Sequence, residues 1–485
     1  MDKNSIPFYD VVIVGAGLSG IGAAYHIQSK CAGKTYTVLE ARSTMGGTWD
    51  LFKYPGIRSD SDMYTLGFSF NPWVNAKAIA DGPAILQYIK DTAAKFGIDK
   101  KIQYNHKVVD ASWSDADKRW TITLADNGHV ANAKIQCGFL FTCSGYYDYA
   151  GGYEPKFPES EKFKGTIIHP QKWDTTLNYD NKKVVVIGSG ATAVTLVPEM
   201  AKRAQKVTML QRSPTYVANL PSEDVVANFF KKVFPAKLAY SLARWKNILI
   251  ALSFYNASRA WPHAIKKFIL KGVKKEMGEG YDMKHFDPKY NPWDQRLCVV
   301  PDADLFKAIK NGTAEVVTDT IDKFTANGIL LSSGLELEAD IIVTATGLKV
   351  QLLGGMTMHV NGKTAEPKDI HCYRGVMFSD IPNFAVAIGY TNSSWTLKCD
   401  LNCDYVTKIL NYMDAHQYAV CTPRFDKSKF TSQPLLDFDA GYIKRAKEVL
   451  PMQGSKAPWK VYQNYLKDSL ILKYGKLIDE YLEFK

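Results

Sequence analysis

The feature that most constrains this chain is a glycine fingerprint that occurs twice. The apolar run in "DVVIVGAGLSGIGAAYHIQSK" passes directly into Gly15-x-Gly17-x-Ser19-Gly20 and then into a helical pattern. A strand feeding such a loop and then a helix gives the glycines a physical role: they allow a tight turn, close backbone approach to a pyrophosphate, and a helix N-terminus aimed at the phosphates. The next apolar strand, "YTVLEA", ends in Glu40, twenty residues beyond Gly20. A carboxylate there accepts hydrogen bonds from an adenosine ribose and repels a 2′-phosphate, so the first site suits FAD or NAD and not NADP. In "KKVVVIGSGATAVTLVPEMAKRAQKVTMLQRS" the pattern recurs as Gly188-Ser189-Gly190-Ala191-Thr192-Ala193, followed by a helix, a strand and then Gln211, Arg212 and Ser213. A guanidinium and a hydroxyl in place of the acid suit the 2′-phosphate of NADP, because Arg pairs with phosphate through two donors. The expected fold class is α/β, with two Rossmann-like dinucleotide-binding domains and a helical insertion.

Two further apolar runs, "FLFTCSGYY" (139–147) and "DIIVTATGL" (340–348), end in small-residue turns. They read as the crossings between an FAD domain and an NADP domain inserted into it. The expected division is FAD domain 1–147 and 380–485, NADP domain 148–218 and 295–379, and helical insertion 219–294. No other repeat and no low-complexity tract is visible.

A chain of 485 residues is long enough for several subdomains, and its 46% hydrophobic and 22% charged residues are ordinary globular values. No stretch reaches the roughly 18 apolar residues of a membrane span. The N-terminus enters a strand pattern within ten residues, leaving no room for an export signal. Eight scattered cysteines (31, 137, 143, 298, 372, 399, 403 and 421) form no CxxC and suit thiols in a reducing compartment. The expectation is a cytoplasmic protein with no metal site and no nucleic-acid partner. The net charge of +11 is local: Lys231 to Lys275 holds eleven Lys or Arg and no acid, leaving 49 basic against 49 acidic residues elsewhere. Basic and apolar residues alternate there at helical spacing. Either the segment is a cap whose apolar face (Trp245, Ile248, Leu249, Leu252) packs on the body, or it is an interfacial helix making weak peripheral contact with anionic lipid.

The stretch "FKGTIIHPQKWD" carries the remaining signal. Phe163-x-Gly165-x-x-x-His169-x-x-x-Trp173-Asp174 between two dinucleotide fingerprints resembles the signature of the Baeyer-Villiger monooxygenases among the class B flavoprotein monooxygenases. A second family motif, "GGTWDLFKYPGIRSD" (46–60), is present, and the resemblance runs along essentially the whole chain. Through "YPGIRSDSDMYTLGF", "IGSGATAVTLVP", "LQRSPTY" and "YNPWDQRLC" it is similar to the bacterial branch that activates thioamide prodrugs. Related N- and S-oxygenating flavin monooxygenases normally lack the tryptophan, so Trp173-Asp174 points to the ketone-oxidising group. By resemblance the stretch is an interdomain linker whose His169 couples NADP binding to domain movement.

The resemblance implies bound FAD, with Thr48, Trp49, Asp50, Leu51, Arg58, Ser59, Asp60 and Val108 joining the first fingerprint around it, and NADPH at the second. It implies conversion of ketones to esters or lactones through a flavin C4a-peroxide, together with oxidation of sulfides and thioamides; the partners are a small ketone or sulfide and O2. Such chemistry needs a permanent cation beside flavin and substrate to hold negative charge. Arg296 in "NPWDQRLC" sits where the family places that arginine, and Asp60 matches the acid that orients it. Some relatives carry lysine just before this arginine, where it helps bind the 2′-phosphate; Gln295 stands here, so NADPH preference rests on Arg212 and Ser213. Three alternatives stay open: an N/S-oxygenating flavin monooxygenase without ketone activity, a two-nucleotide disulfide reductase, which would need the CxxC this chain lacks, and a membrane-docking flavin redox sensor.

Overall fold

The first fingerprint folds as its spacing predicts. In the computed structural model, which describes residues 6–126, 133–295, 297–435, 441, 445–446 and 448–485, β1 (Phe8–Val14) runs into α1 (Leu18–Lys30), and β2 (Tyr36–Leu39) lies parallel to β1. Three helices follow: α2 (Thr48–Leu51), α3 (Met63–Leu66) and α4 (Gly82–Lys95). The Asp81 carboxylate caps α4 by accepting from the Ala84 N–H, and Pro83 occupies its first turn, where a missing donor costs nothing. β3 (Ile102–Gln103) extends the sheet beside β2. The antiparallel meander β4 (Val108–Ser114), β5 (Arg119–Leu124) and β6 (Lys134–Thr142) brings β6 back parallel to β1. The residues after Thr142 leave for the second domain.

That domain contains β7 (Thr166–Ile168), β8 (Lys183–Ile187), α5 (Ala191–Met200) and β9 (Lys206–Gln211). β10 (Val217–Leu220) then leads into three consecutive helices, α6 (Val225–Val233), α7 (Ala236–Ala260) and α8 (Pro262–Met277). The chain returns through β11 (Cys298–Pro301), which pairs with β10, and continues into α9 (Asp304–Lys310) and β12 (Ala314–Thr318). An antiparallel trio, β13 (Ile321–Phe324), β14 (Gly328–Leu331) and β15 (Glu336–Glu338), precedes β16 (Ile341–Thr344). The parallel order β12-β9-β8-β16-β7 completes a five-stranded sheet. Its central residues Val184, Val185, Val186, Ile342 and Val343 are buried, as expected for strands covered on both faces.

The two crossings lie side by side: Tyr147 bridges Val350, and the Tyr153 N–H donates to the Gly347 carbonyl at 2.9 Å. β17 (Thr357–Val360) then pairs in parallel with β4, and β18 (Lys363–Thr364) closes that edge. The chain thus re-enters the first sheet at residue 357, ahead of the boundary near 380 expected from sequence. A four-residue strand, "TMHV", carries no apolar run to announce it; its membership depends on pairing with β4. Phe384–Val386 joins the other side of β6, and α10 (Trp395–Ala415) packs on α1.

The basic segment forms helices, but α7 is rotated from the expected cap. Its buried face is Ala239, Tyr240, Ala243, Arg244 and Ile248, whereas Trp245 and Leu249 are exposed and Leu252 is half-buried. The small residues let α7 approach α3 closely, and a buried cation takes part. The Arg244 guanidinium donates to the carbonyls of Tyr64 and Gly67, each at 2.8 Å, and pairs with Asp400 of α10 at 3.0 Å. Hydrogen bonds of this kind let a charge be buried in an interface without being stranded.

Candidate active site

One cavity of about 1790 Å³ runs from the first fingerprint to the N-terminus of α5 and out to the helical insertion. That exceeds the roughly 300–1,000 Å³ of pockets for drug-sized ligands and is room for an extended dinucleotide with a second ligand beside it. The turn at its base is as tight as the spacing requires. A Cβ at Gly20 would sit 1.8 Å from the Gly15 carbonyl oxygen, so only glycine lets α1 start this close to the loop. Gly20 is therefore structural support, while Gly15, Gly17 and Ser19 line the cavity.

Glu40 lies at the end of β2, buried against the same loop. Its Oε2 accepts from the Ala16 N–H at 2.8 Å and its Oε1 from the Arg42 N–H at 2.9 Å. Burial raises its pKa, and the two backbone N–H donors together with the Arg42 charge oppose that rise. A carboxylate offers about four lone-pair sites, so two backbone bonds leave capacity for a ribose diol. Thr48, Trp49 and Val108 line the cavity beside it. Asp50 and Leu51 do not: Asp50 is taken up by Arg42 at 2.7 Å and Lys53 at 3.4 Å, which ties the ends of the 42–53 loop together.

The "YPGIRSD" loop is where the domains meet. Burial pushes the Tyr54 phenol well above its ordinary range, and the Thr192 side chain at the start of α5 opposes that rise. Arg58 lines the cavity and forms an ion pair with Asp304 of α9. Ser59 is buried, its hydroxyl donating to the Ser61 carbonyl at 2.6 Å. Asp60 is exposed and faces the cavity. Arg296 lies outside the described residues; Trp293 and Leu297, on either side of it in the chain, line the cavity wall.

At the second fingerprint Ala191 and Thr192 line the cavity, whereas Gly188, Ser189, Gly190 and Ala193 do not. The Ser189 hydroxyl donates to the Ser213 carbonyl at 3.3 Å and meets the Thr215 hydroxyl at 2.7 Å. These bonds set the glycine loop against the end of β9. Arg212 and Ser213 stand there exposed, with Arg212 outside any ion pair among the described residues. Gln211 is buried and structural, its amide donating to the His285 carbonyl and to Thr318.

The signature stretch holds a buried histidine. Gly165 is required by contact: a Cβ there would lie 2.3 Å from the Asp340 carbonyl oxygen and 2.5 Å from the Phe163 ring. Phe163 is buried edge-on against Phe324. The His169 Nδ1 accepts from the Gln171 N–H at 3.1 Å, which assigns the proton of the neutral ring to Nε2, 3.3 Å from the Gly347 carbonyl of the second crossing. Burial lowers its pKa, and the bond to Gly347 opposes the shift. Trp173 is half-buried, and exposed Asp174 caps the next turn by accepting from the Thr176 N–H at 2.8 Å and its hydroxyl at 2.7 Å. None of these five residues lines the cavity.

Residues that the sequence did not single out complete the wall. Tyr149, whose phenol burial pushes up, and Tyr146, stacked on Trp395 at 5.0 Å, come from the first crossing, and Trp395 comes from α10. The Trp395 indole N–H donates to the Ser19 hydroxyl at 2.8 Å, joining α10 to the fingerprint across 376 residues. No local signal marks such residues. All eight cysteines are buried, and neither a disulfide nor a metal-ligand cluster occurs among the described residues.

Comparison with known proteins places the chain in a family. Residues 13–80 match an NAD(P)-binding Rossmann-like domain, and residues 76–377 match the flavin-binding monooxygenase-like family. The chain is 52% identical to the FAD-containing monooxygenase EthA of Mycobacterium tuberculosis over 477 residues, covering 98% of this chain and 97% of that protein. It is 47% identical to a probable FAD-binding monooxygenase, AlmA, of Acinetobacter baylyi, covering 98% and 96%. In fold it is similar to an oxidized steroid monooxygenase bound to NADP, with a TM-score of 0.76 at 19% identity over 98% and 99% of the chains. It is likewise similar to a cyclohexanone monooxygenase of Rhodococcus bound to NADP+, with a TM-score of 0.76 at 18% identity over 99% and 100%. With two nucleotide fingerprints opening on one cavity and this likeness along nearly its whole length, the chain belongs to the flavin-binding monooxygenase-like family.

Proposed function

We propose that the protein is an FAD-containing, NADPH- and O2-dependent Baeyer-Villiger monooxygenase that converts ketones to esters or lactones and also oxidises sulfides and thioamides. The observation that carries this reading is the single cavity shared by the first fingerprint and the N-terminus of α5, beside the "YPGIRSD" loop. The named activities of the fold relatives, steroid and cyclohexanone monooxygenases, point the same way.

Bound FAD supplies electron transfer from NADPH and activation of O2. The chain's own residues do the rest. The loop Gly15–Ser19 and the start of α1 take the FAD pyrophosphate, where backbone N–H groups and the helix dipole favour negative charge. Glu40 holds the adenosine ribose. Arg212 and Ser213 hold the NADPH 2′-phosphate. The tyrosine and tryptophan walls keep water from the reacting carbonyl. Arg296, oriented by Asp60, holds the negative charge that develops on the carbonyl oxygen as its carbon becomes tetrahedral.

The test is mass-spectrometric product analysis of FAD-loaded protein incubated with NADPH, O2 and an aryl methyl ketone, a long linear ketone and a cyclic ketone. Ester or lactone is expected from at least one. In Arg296→Ala, flavin reduction by NADPH should persist while ester yield falls about 100- to 1000-fold, the usual cost of removing an oxyanion-stabilising donor. Sulfide oxidation without any ester in the wild type would overturn the ketone reading in favour of an N/S-oxygenating monooxygenase.

A further inference from the structure

The helical insertion leaves an apolar surface uncovered. On α7, Leu238, Leu242, Trp245 and Leu249 recur at steps of four, three and four, and each is between 38% and 48% exposed. The row lies on the side away from Ala239, Tyr240 and Ala243, through which α7 packs on α3; of its four members Trp245 also meets the Tyr465 ring edge-on at 5.8 Å and stays 44% exposed. On α6, Val225, Phe229 and Val233 recur at four-residue steps, all more than half exposed. Single exposed apolar residues are ordinary; rows at helical spacing on two packed helices are not.

Charge decides what covers them. Lys232, Lys237, Lys267, Lys271, Lys274 and Lys275 are exposed and outside any ion pair among the described residues. The segment 231–275 has no acid of its own. A second copy of the chain would bring the same cations to the interface, and like charges would meet. An anionic lipid surface instead offers apolar depth to the rows and negative charge to the lysines.

The cavity adds position. Val225 begins the α6 row and also lines the cavity, and so does Ile250, next in the chain to Leu249. Phe268 on α8, 67% exposed, lines it as well. The cavity wall therefore includes uncovered apolar residues of the insertion.

We infer that the exposed rows of α6 and α7 and their flanking lysines dock on an anionic bilayer, setting that part of the cavity wall against it so that lipophilic substrates enter from the lipid. The substrate clause rests on the cavity being the monooxygenase site proposed above; the docking surface stands without it.

The experiment is co-sedimentation of the full-length FAD-loaded protein with phosphatidylcholine vesicles and with vesicles containing phosphatidylglycerol, at low and physiological salt. Binding is expected only to the anionic vesicles. It should weaken with salt, since attraction between exposed charges is screened beyond about 8 Å at physiological ionic strength. Trp245→Ser/Leu249→Ser and, separately, Lys232→Glu/Lys237→Glu should each lower the bound fraction at least ten-fold while leaving NADPH oxidation with a water-soluble ketone or sulfide intact. Wild-type protein remaining in the supernatant with anionic vesicles would overturn the inference. So would equal binding to neutral vesicles, or a dimer in sedimentation velocity that the serine variant dissociates, which would make the rows a subunit interface. Vesicle binding is read without turnover, so its failure is distinct from failure of the monooxygenase reading.

Discussion

The proposed preference for NADPH rests on one residue, Arg212. It stands exposed at the end of β9, held near the second fingerprint by the bonds from Ser189 to Ser213 and Thr215. A charge-assisted hydrogen bond contributes about 1.5–3 kcal/mol, so Arg212→Ala should lower NADPH affinity roughly 10- to 100-fold and leave NADH affinity nearly unchanged. Titration of both nucleotides by tryptophan fluorescence checks this, and equal losses would make the residue structural. His169 makes a different prediction. Burial lowers its folded-state pKa, so as pH falls below the unfolded value of about 6.5 the unfolded chain takes up its proton first. Stability is therefore lost as pH falls toward the folded pKa. His169→Gln, which keeps a hydrogen-bonding side chain but cannot titrate, should lose less thermal midpoint between about pH 7 and 5 than the wild type. Identical profiles would mean that His169 contributes nothing to the acid sensitivity.

At the scale of elements, the insertion is anchored by a cation as well as by apolar contact. Arg244 reaches from α7 to the last carbonyls of α3 and to Asp400 on α10. Arg244→Ala would strip those carbonyls of the guanidinium and leave Asp400 only the Ser69 N–H at 3.3 Å and His26 at 3.9 Å, and breaking a buried pair from one side costs about 3–5 kcal/mol. Urea unfolding should report a loss of that order, and Arg244→Lys should recover only part of it because an ammonium lacks the planar fork. A loss under about 1 kcal/mol would mean that water replaces the guanidinium there. The sequence marks this segment as helical and basic. It does not reveal which side of α7 packs, because apolar residues occupy both sides and small alanines decide the close contact.

At the scale of the molecule, FAD should act as part of the fold. The proposed site draws its walls from β1, α1, the first crossing, the N-terminus of α5 and α10. A ligand bound only by the folded chain stabilises by mass action, about 2.7 kcal/mol at a hundred times its Kd. Apoprotein titrated with FAD should therefore rise in thermal midpoint with ligand concentration. No shift at saturating FAD would contradict the assignment of the first fingerprint.

Both Rossmann units are legible in the chain because their signals are local: an apolar strand, a glycine turn and a helix lie within about thirty residues, so Gly15, Gly17, Glu40, Ala191, Thr192 and Arg212 can be named from spacing alone. The signature stretch is equally local, and in it Phe163 and His169 are buried while Gly165 makes a contact that leaves no room for a Cβ. What contact decides could not be read this way. Asp50 looks like a ligand-facing acid until Arg42 and Lys53 claim it. β17 belongs to the first sheet only through pairing with β4, and Trp395 reaches Ser19 across 376 residues. The rotation of α7 is of the same kind: periodicity prescribes that a helix has an apolar face, but where two faces compete, the shape of the surface beneath chooses which is buried and which stays exposed.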